Sequence, residues 1–179
     1  MSNNHYLVIS AIGSDRPGLV DQLTQPIQES SGNILDSRMT VLGGEFAILM
    51  LVEGGWDTIA RLEELLSTLQ EPMALTITTK RTESKPATEP VLPYMVSVVA
   101  LDHPGIVNQL SGFFSTRQIN IQSLETDGYH AAHTGTSMFA VNMNVQIPAK
   151  QSIVALRTEF FEFCDGLNLD AILEPLKGN

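Results

Sequence analysis

Cysteine occurs once in the 179 residues, as Cys164, so no disulfide framework and no cysteine-built zinc site can form within the chain. Basic residues are also scarce: 10 Lys plus Arg stand against 20 Asp plus Glu, a formal net charge of −10. Affinity for nucleic acid comes largely from Lys and Arg neutralising phosphates, so this balance argues against direct DNA binding. No apolar run approaches the ~20 residues of a membrane helix, and Met1-Ser2-Asn3-Asn4-His5 lacks the basic start of a secretory signal. A cytoplasmic protein without membrane contact is expected. Gly43-Gly44 and Gly54-Gly55 match neither phosphate-loop nor dinucleotide spacing. His130 and His133 have only Asp127 near them in sequence, so they read as exposed loop histidines and no metal is expected. Asp102-His103 lacks a nucleophile or third partner, so no catalytic residues, no cofactor and no enzyme activity are expected.

What the chain does contain is a repeat. Asp15-Arg16-Pro17-Gly18-Leu19-Val20-Asp21-Gln22-Leu23 returns as Asp102-His103-Pro104-Gly105-Ile106-Val107-Asn108-Gln109-Leu110, at an offset of 102 − 15 = 87 residues. The same offset carries Ser10 onto Ser97 and Asn33-Ile34 onto Asn120-Ile121. That period suits a small domain and is too long for a solenoid unit. Two modules follow, at residues 1–80 and 93–179, with the proline-bearing stretch 81–92 as linker. Modules this small bury a limited fraction of their surface, so packing of the halves against each other or against a second chain is expected, the latter as a homo-oligomer.

Each module reads as βαββαβ. Tyr6–Ile12 is aliphatic enough for a strand buried on both faces or nearly so. Pro17 fits the first position of a helix carrying Leu19, Val20, Leu23 and Ile27 on one face, and Pro26 should kink or shorten that helix. Residues 33–42 and 45–52 form a hairpin across Gly43-Gly44. A helix over 56–69 and a strand over 73–79 complete the module. In the second copy, residues 128–135 swell the corresponding hairpin into a long, mobile loop. Met39, Met50, Met73, Met138 and Met143 fall on strand patterns as core, and Cys164 shares the apolar rhythm of Ile153, Leu156 and Phe160. Phe160, Phe161 and Phe163 cannot all face inward. The fold class is α+β: two ferredoxin-like modules, each an antiparallel sheet with helices on one face.

The repeated turn carries the chemistry. A helix N-terminus offers free N–H groups and partial positive charge to a carboxylate. Gly18 and Gly105 clear the approach to the backbone, Asp15 and Asp102 add a carboxylate, and Asn33 and Asn120 add an amide on the next strand. An α-amino acid matches both signs. Residue chemistry alone weighs equally for a plain helix cap by Asp15 and Asp102.

Tyr-x-x-x-x-Ala-x-Gly-x-Asp-Arg-Pro-Gly-Leu-Val from Tyr6 to Val20, with Asn33-Ile34 and Asp36-Ser37-Arg38-Met39, resembles the ACT domain, a βαββαβ module that binds amino acids and regulates metabolism. Two modules with nothing attached, and the phrases 33–46 and Gly54-x-Trp56, resemble a transcription-repressing subgroup of that family. The resemblance implies a small amino acid effector, glycine in that subgroup, and a partner that is a separate DNA-binding activator protein. It implies ligand contacts at Asp15, Arg16, Pro17, Gly18, Leu19, Asn33 and Ile34. The second set is Asp102, His103, Pro104, Gly105, Ile106, Asn120 and Ile121. His103 replaces Arg16, so the two turns need not bind equally. The alternative expectation is a regulatory subunit of an amino-acid biosynthetic enzyme.

Overall fold

The computed structural model describes residues 4–83 and 89–176. Two compact units divide the chain, Met1–Pro86 and Ala87–Asn179. The first holds β1 (His5–Ser14), α1 (Leu19–Glu29), β2 (Asn33–Leu42), β3 (Glu45–Gly54), α2 (Trp56–Met73) and β4 (Thr76–Thr82). The second holds β5 (Val91–Leu101), α3 (Ile106–Ser115), β6 (Asn120–His130), β7 (Ser137–Pro148), α4 (Ile153–Gly166) and β8 (Asp170–Pro175). Strand orders β2-β3-β1-β4 and β6-β7-β5-β8 are antiparallel throughout, the ferredoxin-like arrangement that the alternation of periods predicts. Regular structure takes residues from both ends of the expected linker, since β4 runs through Arg81 and Thr82 and β5 begins at Val91. Pro86 of that linker lies outside the described residues.

The duplication is deeper in the backbone than in the residues. Among the described residues, the non-glycine positions with positive φ are Ser31 and Gln118, then Ala74 and Asn168, at matching places in the two units. Both second strands bulge at one matching step, between Ile34 and Asp36 and between Ile121 and Ser123. Different side chains have kept the same bends, which is expected where register against the neighbouring strand would otherwise flip the buried face.

Each unit has its own core on the helix-bearing side of its sheet. Leu7, Ile9 and Ala11 of β1 and Phe46, Ile48, Met50 and Val52 of β3 alternate inward to meet Leu19, Leu23, Ile27, Ile59, Leu62 and Leu66. The β1 strand is therefore fully buried on one face and half-buried over most of the other, because helices cover only one side. Ile12 is largely exposed. Val20 points outward at 42% exposure, and Pro26 takes a buried place in a helix that continues to Glu29. Met50, Met73 and Met143 are core as expected, whereas Met39 is 53% exposed on an edge strand that no helix covers. Met73 belongs to the end of α2, not to the following strand. Phe160 is buried, and Phe161 and Phe163 pack partly buried against the same core.

The swollen hairpin is shorter than its sequence suggests. Gly128, Tyr129 and His130 stay in β6, paired with Phe139, Met138 and Ser137. The connection closes over 131–136, where Ala131 N donates to the Thr136 carbonyl at 2.9 Å and Gly135 N to the Ala131 carbonyl at 2.8 Å. These bonds close the turn at the tip of the hairpin. The His130 ring nitrogen lies 3.4 Å from the Ser137 hydroxyl.

On the other edge, Arg81 grips Glu63 through Nε at 3.0 Å and Nη2 at 2.7 Å, tying β4 to α2. These hydrogen bonds hold the Glu63 carboxyl below its usual range, against the opposing effect of desolvation. Burial pushes the Cys164 thiol up to about 11, with Asp165 adding to the shift. A maleimide at about pH 8 is therefore expected to leave the folded chain unlabelled and to react once denaturant exposes the thiol. Equal labelling rates in the two states would contradict that burial.

Candidate functional site

The repeated turns join the first strand to the first helix of each unit. Pro17 does not begin α1: the helix starts at Leu19, and Gly18 stands before it at φ 89, ψ −1. Gly105 stands before α3 at φ 100, ψ −7. Proline followed by glycine at such angles is the type II turn pattern, and a residue with a Cβ would be strained there. Pro17 and Pro104 thus set the turn, and the glycines release the helix. The Gly18 carbonyl accepts from Gln22 N at 3.0 Å and the Gly105 carbonyl from Gln109 N at 2.9 Å, starting each helical ladder.

Asp15 and Asp102 do not cap these helices, since neither N-terminus receives a side-chain hydrogen bond. Their backbones are held instead: Asp15 N donates to the Gly44 carbonyl and Asp102 N to the Ser137 carbonyl, each at 3.0 Å. Both side chains are left exposed beside a helix end whose first N–H groups have no intrahelical partner. The simple capping account of the repeated aspartates is thereby removed.

The structure does not bring the strand residues to the turns. Asn33 pairs in register with Glu53, which faces Tyr6, while Asp15 lies nine residues further along the chain. At ~3.4 Å per residue the turn and Asn33 stand roughly 30 Å apart, at opposite ends of one sheet. Asn120 is placed likewise, donating from Nδ2 to Gln146 Oε1 at 3.2 Å, and Ile34 and Ile121 sit beside their asparagines. Within one unit, the expected ligand residues that lie together are Asp15–Leu19 in the first and Asp102–Ile106 in the second.

The second turn opens into a cavity of about 740 Å3 lined by Asp102, His103, Pro104, Gly105, Ile106, Val107, Asn108, Ser111 and Phe139. Val107, Asn108 and Ser111 come from one face of α3, and Phe139 from β7. Sequence reasoning missed these four. The i, i+3 and i, i+4 spacing of the helical three was available, but Phe139 arrives only through strand pairing. The lining offers the Asp102 carboxylate, the His103 imidazole, the Asn108 amide, the Ser111 hydroxyl and an uncapped helix end against an apolar wall. That set suits a small zwitterion: ammonium toward Asp102, carboxylate toward the α3 amides.

The ACT domain family model matches residues 5–80. The glycine cleavage system transcriptional repressor of Escherichia coli (strain K12) is 30% identical over 168 residues, spanning 94% of this chain and 88% of the relative. The chain belongs to that ACT-domain repressor family. The ACT fold extends to both units. A crystal structure of a protein bearing the same repressor description matches with TM-score 0.76 and 28% identity over 99% of this chain and 100% of that one. A protein of unknown function from Galdieria sulphuraria matches with TM-score 0.78 and 27% identity, over 98% and 100% of the two chains. Tandem ACT modules are thus the shared architecture. Among the described residues, no helix is long and apolar enough to cross a membrane.

Proposed function

We propose that this tandem ACT chain is an amino-acid-responsive regulator of transcription that acts through contact with a DNA-binding activator protein, with glycine as effector. The observation that carries the reading is the likeness to the Escherichia coli repressor along both modules, not along a single ACT domain. The chemistry of the second turn supports it independently, since its carboxylate and uncapped helix end complement the two charges of an α-amino acid. The net charge of −10 supports action on a protein instead of on DNA. The effector acts only through unequal affinity for two arrangements of the protein, so its contacts at the turn must differ between the repressing and released states.

Thermal unfolding against glycine, serine and alanine tests the effector. Glycine at about a hundred times its dissociation constant should add about 2.7 kcal/mol and raise the midpoint by several degrees. The cavity leaves room for a side chain, so a response to serine or alanine alone would move the regulator to another amino acid. No response to any of them would remove the effector role. The chain alone is expected not to retard DNA at physiological salt, and a strong shift by the purified protein would sink the protein-contact mechanism.

A further inference from the structure

We infer that the two turns are not equivalent sites: the second is the effector site, and the first is a closed copy strapped shut by Arg16. This rests on the amino-acid-binding reading above and decides where that binding occurs.

Four differences at matching positions point the same way. Arg16 reaches from the first turn to donate from Nη2 to the Met73 carbonyl at 3.3 Å and to Gln22 Oε1 at 3.1 Å. The turn is thereby tied to the last carbonyl of α2 and to the outer side of α1. In the second unit His103 replaces it, and its Nδ1 lies 3.2 Å from the neighbouring Pro104 carbonyl, so it makes no such strap.

The second difference is at the strand end. Gly13 of β1 allows the backbone after α2 to close in, to the point that a Cβ there would stand 2.6 Å from the Ala74 carbonyl oxygen. Ala100 takes that place in β5, so the matching position already carries a buried methyl. Third, Phe46 is 1% exposed in the first unit, whereas Phe139, its counterpart in strand register, is half-buried and forms a wall of the cavity. Fourth, the first turn of α1 already carries an acidic side chain, Asp21, which competes with any ligand carboxylate for the helix end. The first turn of α3 has Asn108 there and no acidic residue. Closure by packing, an occupied cation and a pre-neutralised dipole all fall on the first copy, and the cavity falls on the second.

Isothermal titration of glycine into the full chain, with amide chemical shifts followed by NMR, tests this. One glycine per chain is expected, with shifts at Gly105, Ile106 and Val107 and none at Gly18, Leu19 and Val20. Asp102→Asn should weaken binding by about tenfold or more, as loss of a charged hydrogen-bond partner does. Asp15→Asn and Arg16→Ala should leave affinity within about twofold, because neither group touches the occupied site. Both aspartates are exposed and cap nothing, and an unchanged unfolding midpoint without ligand checks that the variants fold. Two equivalents per chain, or loss of binding in Asp15→Asn, would overturn the asymmetry while keeping the amino-acid reading. Absence of heat and of shifts with glycine, serine and alanine alike would overturn both.

Discussion

Replacing Phe114 with alanine is expected to cost about 3–5 kcal/mol and to leave the second unit largely unfolded under mild denaturant. Phe114 is fully buried, edge-on to Phe113 at 5.3 Å and tilted against Phe160 at 5.5 Å, so its removal opens a void where α3 meets α4. The aromatic pairs are lost along with the transfer energy of the ring. A domain of this size holds only about 5–10 kcal/mol in total, so one such cavity consumes most of the margin. Urea unfolding with hydrogen exchange across β5 and β7 would read the loss. Phe161→Ala is the control: that ring is partly exposed beneath Arg157 and should cost about 1 kcal/mol or less. Equal effects of the two substitutions would show that the aromatic cluster does not work as the packed centre of the unit.

Gly13→Ala is the second large effect, with an expected cost of about 1–3 kcal/mol through overpacking. The new methyl would meet the Ala74 carbonyl oxygen at 2.6 Å and Leu75 Cδ2 at 2.7 Å. A leucine side chain can turn aside, but the carbonyl belongs to backbone already held at φ 52 on Ala74, so relief requires moving the end of α2. That movement pulls the Met73 carbonyl from Arg16 and loosens the strap on the first turn. The reciprocal change, Ala100→Gly, removes a small buried methyl and should cost only about 0.5–1 kcal/mol. Thermal unfolding of the pair measures the contrast. A neutral Gly13→Ala would mean that the approach of the α2 end is not a constraint on β1, and the strap argument would lose one of its supports.

The legibility of the chain varied with the range of the interactions involved. The order βαββαβ was readable because alternation and helical spacing are local signals, and Gly43-Gly44 announces its hairpin directly. The start of α1 is ambiguous in sequence because Pro17 suits both a helix start and a type II turn, and the glycine after it decides between them. Gly128, Tyr129 and His130 look like a turn when taken alone. Pairing with Met138 and its neighbours makes them strand. Met39 suits a core position by its strand pattern, yet this edge strand is exposed on both faces along its whole length. The asparagines joined the turn in the repeat but not in space, since a strand of ten residues separates what the motif groups together.

By itself the sequence determined that there are two modules, that each is α+β, that the Asp-x-Pro-Gly turn recurs, and that an acidic chain is unsuited to gripping DNA. All of these depend on neighbours along the chain or on composition. Which turn is open was decided only by tertiary structure. The closure of the first depends on a helix end that arrives 57 residues after Arg16, and the wall of the second on Phe139, brought in by strand register. A difference of one residue type, Arg16 against His103 or Gly13 against Ala100, acquires its meaning from what packs against it, and that partner is distant in sequence.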